Sequence, residues 1–163
     1  MTQQFYITTP IYYVNDRPHI GHAYTSVACD VLARFKRLSG FEVRFLTGTD
    51  EHGQKVEKSA AAAGIPPKTF VDQVSQHFRE MAKQLNLSHD DFIRTTEPRH
   101  IAGAQGLWKK MQAAGHIYLG KYAGWYSVRD EAYYQESELV NGKAPTGADV
   151  EWVEEPSYFF DLS

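Results

Sequence analysis

The chain is predicted to be an α/β protein, the first half of a doubly wound parallel sheet followed by a small antiparallel β-rich insertion. Three observations carry this. An apolar, β-leaning run from Phe5 to Thr9 passes through a turn containing Asn15, Asp16 and Pro18 into a helical period that starts at Ile20. After Gly40 a second run, Phe41 to Leu46, alternates Phe41, Val43 and Phe45 with Glu42 and Arg44. Strand, helix and strand in such short succession make a βαβ unit with a right-handed crossover and parallel strands. From Ile117 the composition shifts to aromatic and β-branched residues interrupted by glycine, as short antiparallel strands require.

The elements follow in order. In the first helix Ala23, Val27, Ala28, Val31, Leu32, Phe35 and Leu38 recur at steps of three and four and so share one face, and Gly40 closes the helix. The second strand ends at Thr47-Gly48. A helical pattern then runs from Gln54 to Ala63 and stops at Gly64. Ile65-Pro66-Pro67 breaks it, and Pro67 opens the next helix, to Leu85, with Phe70, Val71, Val74, Phe78, Met81 and Leu85 on its inner face. Phe92 to Thr95 reads as a third short strand, and Pro98 starts a helix from Arg99 to Ala114 that Gly115 ends. This order, β-α-β-α-α-β-α, is half of a doubly wound sheet. Residues 1–116 are assigned to it and 117–163 to the start of the insertion, with Gly142 and Gly147 at turns. The closing run Ser157-Tyr158-Phe159-Phe160 carries no stop signal, so the chain is expected to be cut short while the fold is heading back to its sheet.

Composition narrows the function classes. At 163 residues, 42% hydrophobic and 23% charged, the chain has the make-up of an ordinary globular domain. A net charge of −3 gives no general attraction to nucleic acid. The single cysteine, Cys29, excludes an intramolecular disulfide and a Cys-rich zinc site; it reads as a small buried residue in a reducing compartment. With no basic, apolar leader and no run near the roughly 18 apolar residues of a membrane span, the expectation is a cytoplasmic protein without a membrane partner.

The stretch Thr8 to His22 carries the chemistry. Its turn brings His19, Gly21, His22 and, on this reading, free backbone N–H groups to the mouth of a helix, where unpartnered N–H groups and the helix dipole attract phosphate. Each imidazole can donate to oxygens that gain negative charge, and Gly21 lets a base or phosphate approach the backbone. The same letters also fit two polar residues that merely start a helix. Asp50, at the end of the second strand, could receive an ammonium group, or could cap the helix that follows. His77, His89, His100 and His116 are scattered and read as surface or cap residues.

His19-Ile20-Gly21-His22 between a strand and a helix resembles the signature of class I aminoacyl-tRNA synthetases. Thr9-Pro10-Ile11-Tyr12-Tyr13-Val14-Asn15 before it, and Leu46-Thr47-Gly48-Thr49-Asp50-Glu51-His52-Gly53 after it, resemble the methionyl family of that class. The resemblance implies a Rossmann-like catalytic domain that activates methionine with ATP, accompanied by Mg2+, and then charges tRNA(Met). It implies His19 and His22 as catalytic and, with Gly21, as ATP-binding residues. It implies Ile11, Tyr13 and Asp50 as methionine-binding residues, Asp50 on the α-amino group, with His52 as loop support. The family's Lys-rich second phosphate-binding loop has no counterpart here, so this chain alone is not expected to complete the reaction.

Related enzymes often carry a zinc knuckle in the insertion, with Cys pairs after a Trp-Tyr dipeptide and again near a proline. Here Trp125-Tyr126 is followed by Ser127 and Asp130, and Ala144-Pro145 stands in the second region. Serine and alanine cannot replace thiolates. The expectation is the knuckle's shape without structural zinc, held by Trp125, Tyr133 and Tyr134. Three other readings remain open at this stage, the first two a small nucleotidyltransferase with a His-x-Gly-His loop and a non-catalytic nucleotide-binding paralogue. A metal hydrolase using His19, His22, Asp50 and His52 is a third.

Overall fold

The computed structural model describes residues 3–162. Two compact units divide the chain, the first ending at Ala102 and the second beginning at Gly103.

In the first unit β1 (Gln4–Thr8), β2 (Tyr12–Tyr13), β3 (Glu42–Asp50) and β4 (Asp91–Arg94) form one parallel sheet. β3 lies in the middle. β1 and β2 pair with successive stretches of it, and β4 pairs with its Leu46–Thr49 segment. The helices are α1 (Ile20–Leu38), α2 (Gln54–Ala62) and α3 (Pro67–Gln84), and α4 (Pro98–Ala113) follows β4. The element order is the predicted one with a single addition, the two-residue strand β2.

That addition has a physical cause. Thr8 faces Leu46 and Tyr12 faces Thr49, so four steps along the β1–β2 side match three along β3. Pro10 has no N–H to give to a ladder, and the chain leaves the sheet there as a one-residue bulge before returning. Thr9 anchors the break, its N–H donating to the Leu46 carbonyl at 3.1 Å and its hydroxyl sharing a 2.8 Å hydrogen bond with Thr47.

The core of this unit joins Tyr12 and Val14 to Val56 of α2, Val71, Val74 and Phe78 of α3, and Phe92 of β4. The inner face of α3 is largely as the periodicity requires. In α1 the residues turned inward are Ser26, Asp30 and Ala33. The apolar face predicted there lies open, with Val31 61%, Phe35 58% and Leu38 89% exposed. Periodicity groups residues on a face but does not say which face packs. Asp30 is accommodated inside because Ser88 donates to it from backbone and hydroxyl, both at 2.6 Å, and Arg34 at 2.7 Å. Cys29 is half-buried, and burial raises its thiol pKa.

In the second unit β5 (Ile117–Ser127) runs between β6 (Ala132–Tyr134) and β7 (Glu151–Phe160), antiparallel to both. Gly120 and Gly124 of β5 leave room for rings from the flanking strands. A Cβ on Gly120 would come within 2.7 Å of the Phe159 ring, and one on Gly124 within 3.2 Å of the Tyr133 ring. Gly142 and Gly147 hold positive φ at turns, as predicted.

Candidate active site

The first turn of α1 is capped by imidazoles instead of a hydroxyl or carboxylate. His19, the N-cap, accepts the Gly21 N–H on Nδ1 at 3.1 Å, and His22 accepts the His19 N–H on its own Nδ1 at 3.0 Å. The N–H groups of His22 and Ala23 reach the His19 carbonyl at 3.0 and 3.3 Å. The sequence reading expected free N–H groups at this helix mouth. The structure corrects this for three of them: the His19 imidazole takes the Gly21 N–H and the His19 carbonyl those of His22 and Ala23, in a cap made reciprocal by the His22 ring.

The cap fixes the chemistry of both rings. An imidazole whose Nδ1 accepts carries its neutral-state proton on Nε2, so each ring presents one N–H donor to a ligand. The rings lie 3.9 Å apart between centroids, tilted by 34°. Burial, and then the nearby His19, lower the His22 pKa, which favours its neutral form. Gly21 is required by the same arrangement, since a Cβ there would lie 2.9 Å from Cε1 of His19.

The two imidazoles line a cavity of about 640 Å³ together with Ile11, Tyr12, Tyr13, Gly21 and Thr25. Alternation along β2 turns Tyr12 into the core and leaves Ile11 and Tyr13 38% and 53% exposed. Asp50 is the register partner of Tyr13, so the two share a face of the sheet. This is the carboxyl end of the parallel strands, where open α/β sheets bind ligands. The Asp50 carboxylate makes no hydrogen bond or ion pair among the described residues, and it caps no helix, the N-cap of α2 being Gly53.

Its neighbour behaves oppositely. The Glu51 side chain is fully buried and accepts from Arg94 at 2.6 and 2.9 Å, from Thr49 at 2.8 Å and from Thr96 at 2.5 Å. Arg94 also reaches Asp72 of α3 at 2.5 Å. These carboxylates, Glu51 first, hold the Arg94 guanidinium firmly protonated. The Glu51 N–H donates to the Thr95 hydroxyl at 2.8 Å, and Nε2 of His52 lies 3.4 Å from the Thr95 carbonyl. Gly48 admits β4, because a Cβ there would fall 2.0 Å from the Ile93 carbonyl oxygen. The sequence reading passed over Tyr12, Gly48 and Arg94. The β-leaning triplet Tyr12-Tyr13-Val14 was the available signal for the first; nothing local marks the other two.

In the second unit Asp130 is a hydrogen-bond hub, accepting from Thr146, from Tyr134 at 3.1 Å and from Arg129 at 3.2 Å. Its N–H donates to the buried Ser127 hydroxyl at 3.2 Å, and Ala144 and Ala148 are buried as well. Trp125 packs instead on Trp152, and Tyr133 on Tyr122 and Tyr126. A thiolate set is missing and the one carboxylate is already engaged, so these residues do not fit a tetrahedral zinc site. Among the described residues no group of three or more His, Cys, Asp or Glu side chains could hold a metal ion.

A parallel α/β sheet with a His-x-Gly-His helix cap at its carboxyl edge is the arrangement of a Rossmann-like domain of the class I synthetase type. The model for "tRNA synthetases class I (M)" matches residues 5–155, and the chain belongs to that family. The methionine–tRNA ligase of Rickettsia bellii is 65% identical over the whole of this chain and 32% of its own length. That of Mesorhizobium japonicum is 55% identical over 99% of this chain and 32% of its own length. A Mycobacterium tuberculosis methionyl-tRNA synthetase, solved with methionyl-adenylate bound, superposes with a TM-score of 0.90 at 52% identity, over 99% of this chain and 33% of that one. The chain therefore spans about a third of the length of the curated relatives it matches.

Proposed function

We propose that this chain carries the methionine- and ATP-binding part of a methionine–tRNA ligase, which forms methionyl-adenylate from methionine and ATP and passes the methionyl group to the 3′ end of tRNA(Met). The observation that carries the reading is the reciprocal imidazole cap opening on a cavity walled by Ile11 and Tyr13, with Asp50 unpartnered in register beside Tyr13.

Asp50 receives the ammonium group of methionine together with the Ile11 carbonyl, and Tyr13 walls the thioether side. A polarisable sulfur gains modestly against an aromatic ring, about 0.3–1.5 kcal/mol. The methionine carboxylate is ionised at pH 7 and attacks the α-phosphorus of ATP without a general base. One oxygen–phosphorus bond forms, the bond to the β-phosphate breaks, and pyrophosphate leaves with Mg2+ that entered with ATP. The work left to the protein is alignment and charge stabilisation. The Nε2–H groups of His19 and His22 supply the stabilisation at the phosphate oxygens, and Gly21 allows the His19 ring to fold back into place. His52 supports the loop.

In this proposal residues 1–116 do the binding and chemistry, and 117–163 begin a connective insertion whose knuckle is held by the Asp130 hub without zinc. Equimolar zinc in metal analysis of the purified protein would contradict that part. A cytoplasmic site of reaction belongs to the same proposal. Among the described residues no helix is long and apolar enough to cross a membrane. ATP–pyrophosphate exchange in the full-length gene product tests the whole reading. It is expected to depend on methionine and to be negligible with leucine; exchange indifferent to methionine would overturn it.

A further inference from the structure

We infer that Tyr12 is a positioning residue that holds the His22 imidazole in its donor orientation, an inference that rests on the proposed function for its catalytic meaning. Tyr12 is the inward residue of β2, 7% exposed. Its hydroxyl donates to the His22 carbonyl at 3.3 Å and shares a 2.9 Å hydrogen bond with the buried Ser26 hydroxyl. The phenol is thereby fixed to the start of α1 as well as to the sheet. Its ring stacks on Phe78 of α3, centroids 5.7 Å apart and planes at 21°. The His22 ring meets both of these near-parallel rings steeply inclined, at 4.8 Å and 71° to Tyr12 and at 5.1 Å and 76° to Phe78.

With Nδ1 taken by the His19 N–H, these contacts set both side-chain torsions of His22 and leave Nε2 as the ring nitrogen available to a ligand. Phe78 supplies a surface but no hydrogen bond. Tyr12 touches the imidazole from the sheet side while bonding to the His22 carbonyl, and His19 touches it from within the cap, so a shift of the Tyr12 ring displaces the cap and the donor together. A residue needed only for filling space would carry no buried hydroxyl directed at that carbonyl.

The test uses the full-length gene product with Tyr12→Leu and Tyr12→Phe, read by methionine-dependent ATP–pyrophosphate exchange and by 15N shifts of the His22 imidazole. Tyr12→Leu is expected to lower kcat about 10- to 100-fold with the KM for methionine within about twofold, because Ile11, Tyr13 and Asp50 are untouched. The His22 nitrogens should move from a single Nε2–H tautomer to a mixture. Tyr12→Phe keeps the ring but loses both hydroxyl bonds and should lower kcat about five- to 20-fold at unchanged KM. Wild-type kcat and an unmoved nitrogen pattern in Tyr12→Leu would overturn the inference. Should that variant fail to fold, Ser26→Ala decides: a kcat loss of about three- to tenfold at unchanged KM supports the anchor, and wild-type behaviour refutes it. If the unmodified protein shows no methionine-dependent exchange, the proposed function fails, while the nitrogen pattern still decides whether Tyr12 positions His22.

Discussion

Asp50 and Glu51 are consecutive carboxylates at the end of β3, yet the fold uses them in opposite ways. Glu51 is buried and tied to β4 by the Arg94 fork. Asp50 shares the outer face with Tyr13 and has no partner among the described residues. Successive strand residues point to opposite faces, so one step along the backbone separates a group that holds the sheet together from one kept for a ligand. A carboxylate at a binding edge is therefore judged by what already bonds to it.

The largest effect expected from this contrast is on stability. Glu51→Ala leaves the Arg94 guanidinium without its main partner and should destabilise the fold by about 3–5 kcal/mol, measured by urea denaturation. Adding Arg94→Leu should recover part of that loss. Asp50→Asn is the mirror experiment. Its stability should stay within about 0.5 kcal/mol of the parent. The KM for methionine in the exchange assay should rise about 10- to 100-fold, the weight of a charge-assisted hydrogen bond of about 1.5–3 kcal/mol. Equal stability losses in the two variants would break the comparison.

A smaller effect is expected at the cap. Gly21→Ala drives a methyl group against the His19 ring and should cost about 0.5–2 kcal/mol of stability as the cap opens, visible as a lower midpoint in thermal melts. The smallest is a pH effect. His22 sits below its ordinary value of 6.5 through burial and the nearby His19. As pH falls the unfolded chain takes up this proton first, so the stabilisation is complete above about 6.5 and is lost as pH falls through the lower folded value. Replacing His22 with Gln should flatten that acid slope in denaturation midpoints measured across pH.

Most of the sheet and the helix boundaries were legible in the letters. The βαβ pattern, the glycine stops at Gly40, Gly64 and Gly115, and Pro67 at a helix start are local signals, and each element lies within a few residues of its predicted place. The roles that escaped depend on contacts distant in sequence. Gly48 is explained only by Ile93, and Glu51 only by Arg94 and Thr96. The open face of α1 escaped because Ser26, Asp30 and Ala33 are small or polar, and nothing local announces that Ser88 and Arg34 will satisfy Asp30. Of the expected site residues Ile11, Tyr13, His19, Gly21 and His22 line one cavity, whereas Asp50 and His52 are not among its lining residues, and the tautomer of the two histidines followed only from the atoms each nitrogen meets.

A crystal structure of the full-length gene product with a non-hydrolysable methionyl-adenylate analogue tests most directly whether one ligand bridges the two walls. The account predicts the ammonium group on Asp50, the thioether against Tyr13, and the phosphate stand-in within hydrogen-bond reach of Nε2 of His19 and His22. An analogue bound with its ammonium group away from Asp50, or with both imidazoles facing bulk water, would contradict it.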